Sequence, residues 1–201
     1  MNGMNLELKT VLLFISSIAS IFIITFLVLL SVFNQDLKGV FYLAGITFTV
    51  LINYFLAKTI GSSKTIDNPY CNIFNSHQFG KDSPSQTSLI IAFTFAYMWL
   101  PMLTVGFNNY PLILFLLILF IIDVIVRTNN GCSEISGSLL GGLVGFLFGV
   151  IWYYILDFNG LDKLLYFNEL NSNNVVCSKP SKQTFKCSVY KNGQLISSNI
   201  A

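Results

Sequence analysis

The chain has 201 residues, 54% of them hydrophobic and only 10% charged, with a mean hydropathy of +0.68. A soluble domain carries about 25% charged residues, so a water-facing surface is excluded and a membrane protein is expected. Eleven Lys plus Arg against nine Asp plus Glu leave a formal charge of +2, too slight a balance for a nucleic-acid partner.

Between Lys9 and Asp36 no residue is charged, and these 26 positions make roughly 39 Å of helix at about 1.5 Å each, against a hydrocarbon core of about 30 Å. A secretory signal has an apolar core of about 7–15 residues ending at a small-residue cleavage site. This run continues through Leu27-Val28-Leu29-Leu30, so a retained spanning helix is expected over 10–33. The next uncharged run, Gly39 to Ala57, predicts a second over 38–57. The run from Ser83 to Ile122 is too long for one helix, and Pro101, Gly106, Asn108-Asn109 and Pro111 divide it into helices over 87–107 and 110–127. The run from Ile135 to Leu156 predicts a fifth over 135–156. The expected fold is therefore mainly α: a polytopic membrane bundle of about five transmembrane helices over 1–157, followed by a small β tail.

The fourth expected helix carries Asp123 and Arg127 four residues apart, on one face, where each can neutralise the other near the membrane boundary. The spacing alone fits a structural pair or a site. The fifth carries Gly137, Gly141, Gly145 and Gly149 in strict register, with Gly142 beside them, a stripe on which another helix can pack closely.

Leu161, Leu164, Leu165 and Leu170 recur at helical spacing and predict an interfacial helix over 158–171. Over 172–201 the period changes to two, through Val175 and Cys177, then Phe185, Cys187 and Val189, and Asn192-Gly193 is a hairpin signal. This predicts a β-hairpin or meander turning at about 179–182 and 192–193. A lone hairpin is marginal in water, so the tail is expected to pack on the membrane domain or dock a protein partner.

Five spans put Lys9, Lys58, Lys64, Lys81 and Arg127 on one face and Lys38, Lys163, Lys179, Lys182, Lys186 and Lys191 on the other. Five against six does not fix the orientation, although the basic tail leans towards a cytoplasmic C-terminus. Of the four cysteines, Cys71 and Cys132 fall in loops on the face opposite the tail, while Cys177 and Cys187 are either free or paired across the first hairpin. With a single histidine, His77, and no Cys-x-x-Cys, neither a metal site nor a cofactor is implied.

Three segments, in order, give the chain a likeness to a known family. Asn53-Tyr54-Phe55-Leu56-Ala57-Lys58 ends the second helix with a lysine; Ser83-Pro84-Ser85-Gln86-Thr87 opens the third; and Arg127-Thr128-Asn129-Asn130-Gly131-Cys132-Ser133-Glu134-Ile135-Ser136-Gly137 joins the fourth to the fifth. Over 38–156 this resembles the type 2 phosphatidic acid phosphatase superfamily, the lipid phosphate phosphatases that share a core with vanadium haloperoxidases. That family has a Lys followed six residues later by Arg-Pro, then Pro-Ser-Gly-His, then Ser-Arg, five residues, His, three residues, Asp. One histidine attacks phosphorus, the other is general acid and base, the Asp orients the nucleophile, and basic side chains hold the phosphoryl oxygens.

The departures matter as much as the matches. Thr65-Ile66 stand in place of Arg-Pro, with Lys64 the nearest basic substitute; Gln86-Thr87 replace Gly-His; Val126 precedes Arg127 instead of Ser; Ser133 occupies the nucleophile position and Gly137 that of the Asp. The resemblance thus implies an inactive relative: Thr87, Ser133 and Gly137 are degenerate catalytic positions, and loss of one essential group in such a mechanism commonly costs several orders of magnitude in rate. What it leaves is a relic phosphate pocket of Lys58, Lys64, Ser85 and Arg127, able to hold a phospholipid head group. The competing reading pairs Arg127 with Asp123 and lets the lysines snorkel to the interface. A structural or scaffolding membrane protein is expected, with a rearranged but active lipid-phosphate phosphatase and a head-group-binding protein as alternatives. The abundance of Asn, Ile, Phe and Ser fits an AT-rich genome such as that of a large DNA virus or a parasite, which makes a virion's internal membrane one expected location.

Overall fold

A computed structural model of the chain describes residues 6–60, 83–106, 109–166, 186–191 and 194–200. The chain divides into two compact units, Met1–Leu170 and Asn171–Ala201. The first is helical: α1 (Leu6–Asn34), α2 (Lys38–Ile60), α3 (Gln86–Val105), α4 (Tyr110–Asn129) and α5 (Ile135–Phe158). All five are long and apolar enough to cross a membrane, which is compatible with a multi-pass membrane protein. Their outward residues agree with that reading: Phe115, Ile118, Ile122 and Ile125 of α4 are exposed, a face that water would penalise and lipid accepts.

The helix boundaries have local causes. Between α1 and α2, Ser31 Oγ donates to the Asp36 carbonyl at 2.7 Å and carboxylate at 2.6 Å, while Asp36 Oδ1 accepts from Lys38 N at 3.2 Å and so caps α2. Gly106 ends α3 at φ 73°, returning its N–H to Leu103 and Met102 carbonyls. Asn109 then caps α4, its side chain accepting from Leu112 N at 3.3 Å, with Pro111 in the first turn where no N–H is needed. At the other end of α4, Gly131 takes φ 70°, so the chain reverses and Cys132 N donates to Arg127 O at 2.9 Å.

The most buried span is α3, and its most extensive contact is with α5. The glycine stripe explains that contact. A Cβ at Gly141 would strike the Ser85 carbonyl, one at Gly145 the Leu89 carbonyl, and one at Gly149 would come within 2.7 Å of the Phe93 carbonyl. Residues 85, 89 and 93 of one helix thus lie against 141, 145 and 149 of the other, two rows of period four with no side chain between them.

Near the C-terminal end of α5 the core is aromatic. Tyr42, Phe93, Tyr97 and Tyr166 pack together with centroid distances of 5.7–6.3 Å. The expected interfacial helix over 158–171 takes a different form in its described part. A single 3-10 turn covers Asp162–Leu164, after which Leu165 and Tyr166 turn inward and are buried. Tyr166 Oη donates to the Leu27 carbonyl of α1 at 2.9 Å. Burial, with the Asp36 carboxylate nearby, pushes the Tyr166 phenol well above its ordinary range, so it remains a donor.

In the second unit, β1 (Lys186–Lys191) pairs antiparallel with β2 (Gln194–Ile200), with an irregularity between Val189 and Tyr190. Cys187 stands opposite Asn199; Cys177, its expected cross-strand partner, and the turn at 179–182 lie outside the described residues.

Candidate functional site

The polar interior lies near the ends of the helices where α3 and α5 begin. Its centre is Asp123, 1% exposed, with both carboxylate oxygens engaged twice. Oδ1 accepts from Ser16 Oγ at 2.6 Å and Arg127 Nε at 3.3 Å; Oδ2 accepts from Ser88 Oγ at 2.8 Å and Thr87 Oγ1 at 3.0 Å. A carboxylate offers about four lone-pair positions, and all are filled, by donors from α1, α3 and α4. The one-turn spacing of Asp123 and Arg127 produces the ion pair that the sequence led one to expect, with Arg127 largely buried beside it.

The segment preceding α3 docks through its backbone. Asn53 Nδ2 of α2 donates to the Pro84 carbonyl at 3.2 Å, Ser85 N donates to the Gly137 carbonyl at 3.0 Å, and Ser83 lies against Gly137, where a Cβ would meet its side chain at 3.2 Å. Ser133 and Ser138 share a hydrogen bond of 2.6 Å at the start of α5. The three segments that carry the family likeness are therefore adjacent in space, through Asn53, Ser83-Pro84-Ser85 and the turn from Arg127 to Gly137.

The expected site residues fare differently. Ser85 is buried at the start of α3, Arg127 and Thr87 meet at Asp123, and Ser133 and Gly137 line the start of α5. Lys58 is exposed in the last turn of α2, and Lys64 and His77 lie outside the described residues, so the gathering of Lys58 and Lys64 with Arg127 is not part of the described geometry. Ser16, Ser88 and Ser138 belong to the cluster and were not singled out by the sequence, and Asn53 figured there only as the first residue of the segment that ends the second helix. A serine in an apolar helix announces no partner; the available signal was that Ser16, Ser17 and Ser20 interrupt an otherwise apolar span, and polar atoms inside lipid need partners.

Asp123 accepts four hydrogen bonds from the surrounding helices, and Ser133 is bonded to a second hydroxyl, Ser138. Glu134, the neighbour of Ser133 in sequence, is exposed at the start of α5 and accepts from Ser136 Oγ at 3.3 Å. Arg127 contacts Asp123 through Nε; among the described residues Asp123 is its only hydrogen-bonding partner. No protein-family model, curated protein or solved structure matches this chain.

Proposed function

We propose that this chain is a catalytically inactive, phosphatase-like integral membrane protein with a structural or scaffolding role, whose C-terminal unit docks a protein partner. The observation that carries the proposal is the inward bonding of the polar cluster. Thr87, at the acid-base position, donates to Asp123; Ser133, at the nucleophile position, is tied to Ser138; and Gly137, at the orienting position, has no side chain. Hydrolysis through a covalent phospho-intermediate needs a nucleophile, a base beside it and an acid for the leaving group. The described cluster instead joins helices. The resemblance to the phosphatase superfamily rests on the order and spacing of the three segments and on their adjacency.

The finer features of the reading belong to the same proposal. A small β unit over 172–201 is supported by the pairing of Lys186–Lys191 with Gln194–Ile200. A cytoplasmic tail is supported by its basic residues, and a virion's internal membrane by composition. A second reading, phospholipid head-group binding, is favoured by one observation: the guanidinium of Arg127 spends only Nε on Asp123, and the N-terminal amides of α3 favour negative charge.

The test is phosphate release from phosphatidic acid, lysophosphatidic acid and isoprenoid diphosphates by purified protein in lipid discs, beside a Ser133→Ala, Glu134→Gln double variant. No release above the variant is expected; turnover above it overturns the inactive assignment. A phospholipid that co-purifies with the native chain and is lost on Arg127→Ala while the bundle keeps its unfolding profile would support the head-group reading.

A further inference from the structure

Three tyrosines meet in the core of the helical unit: Tyr42 of α2, Tyr97 of α3 and Tyr166 after α5. The Tyr42 and Tyr97 ring centroids are 5.7 Å apart, and each lies 6.3 Å from that of Tyr166. All three are buried, and their phenol groups are near enough to interact electrostatically in every pairing. The bonds around two of them fix where their protons go. Thr94 Oγ1 donates to the Ile90 carbonyl at 2.8 Å, so its proton is spent, and in the 2.6 Å bond between Thr94 and Tyr42 the phenol is the donor. Tyr166 Oη donates to the Leu27 carbonyl at 2.9 Å. Both phenol oxygens keep an acceptor position unused among the described residues. Tyr97 differs from both. It is wholly buried in the central part of α3, and its Oη has no hydrogen-bond partner among the described residues. The buried hydroxyls of Ser17 and Thr128 also have none, but a helical serine or threonine can turn to the carbonyl one turn back. A phenol at the end of a rigid ring cannot reach its own turn, and a buried hydroxyl is costly to leave unpaired.

We infer that the bundle binds one water molecule at the Tyr97 hydroxyl, where the water accepts the Tyr97 proton and donates to the oxygens of Tyr42 and Tyr166. The inventory of donors and acceptors selects the guest. It must offer one acceptor and two donors in a very small volume, and a buried water makes about three hydrogen bonds. A cation offers no acceptor for the Tyr97 proton, and an apolar guest offers neither kind of group. Bound in this way, the water joins α2, α3 and the segment after α5 through their hydroxyls as well as their rings, so the three tyrosines act as one polar unit inside an apolar core. The inference uses only packing within the helical unit. It stands or falls separately from the phosphatase likeness and from the docking role of the C-terminal unit.

The experiment compares the full native chain with Tyr97→Phe in lipid discs by infrared spectroscopy, in ordinary water and in heavy-oxygen water. The oxygen of a phenol does not exchange with solvent, so only a bound water gives a stretching band that moves with the isotope. The native-minus-variant difference spectrum is expected to contain an O–H band that shifts to lower wavenumber in heavy-oxygen water. A difference spectrum whose bands are all insensitive to the isotope overturns the inference. Thermal unfolding supplies an independent sign. Tyr97→Phe is expected to lower the unfolding midpoint, because the water loses a partner, whereas a raised midpoint is the result of deleting an unpaired hydroxyl and overturns the inference. Should Tyr97→Phe fail to fold, Tyr42→Phe takes its place in the infrared comparison. It removes one acceptor of the water, so the isotope-sensitive band is expected to move to higher wavenumber than in the native chain, and an unmoved or absent band overturns the inference.

Discussion

At Asp123 a single carboxylate is held by four donors from three helices, and the energetic weight of that arrangement lies in the buried charge. Removing one partner of a buried ion pair leaves an uncompensated charge and costs about 3–5 kcal/mol, while replacing both by apolar residues of similar volume is often neutral or better. Asp123→Ala is therefore expected to destabilise the bundle by about that amount, measured as unfolding in mixed detergent, with Arg127 left buried and unpaired. The double variant Asp123→Leu, Arg127→Leu is expected to regain most of the loss. If the double variant is as unstable as the single one, the hydroxyls of Ser16, Thr87 and Ser88, and not the charge pair, dominate the cluster. The pair itself was legible in the sequence, because an i, i+4 spacing on a helix is a statement about one face. Its hydroxyl partners were not. Ser16 and Asp123 are separated by 107 residues, and only the packing of α1 against α4 brings them together.

At the level of elements, α3 and α5 approach until glycine and backbone carbonyl touch, and that closeness makes a sharp distinction between adjacent positions. A methyl at Gly145 collides with the Leu89 main chain, which cannot move without shifting α3, whereas one at Gly142 meets the ring of Phe120, a side chain able to rotate. Overpacking of a fitted core costs about 1–3 kcal/mol, and Gly145→Ala is expected near the top of that range with Gly142→Ala near the bottom. Equal losses for the two would show that the stripe is not the contact that matters. The five helices were readable because charge is absent from each span and clustered at its ends, which is the constraint lipid imposes. The leucines after α5 were misleading for a related reason: helical spacing of apolar residues indicates that something is covered, without saying what. Leu165 and Tyr166 turn into the bundle, so the interval fits a 3-10 turn as well as an interfacial helix.

For the whole molecule, the chain divides into a helical unit and a C-terminal unit, and the proposed docking role falls on the second. Deleting 172–201 removes no residue of the bundle's described core, so membrane insertion and the unfolding profile of the remainder are expected to be unchanged while partner recruitment is lost. Capture of the same partners by the truncated chain in membrane co-purification would remove the docking role from the tail. The five helices, each long and apolar enough to cross a membrane, followed from composition and charge placement alone. The bonds that tie Ser16, Thr87 and Ser88 to Asp123 join distant helices, and no local pattern encodes them.

Tyr166 has a mechanical consequence. Its ring is wedged edge-on against Tyr42 and Tyr97, and its hydroxyl is fastened to the carbonyl of Leu27, so the segment following α5 is pinned to α1, α2 and α3 at this residue. Tension applied to the chain beyond Tyr166 would reach this rivet before it reached the last turn of α5. The load would then be shared across several helices as shear, and α5 would be spared being peeled from its end.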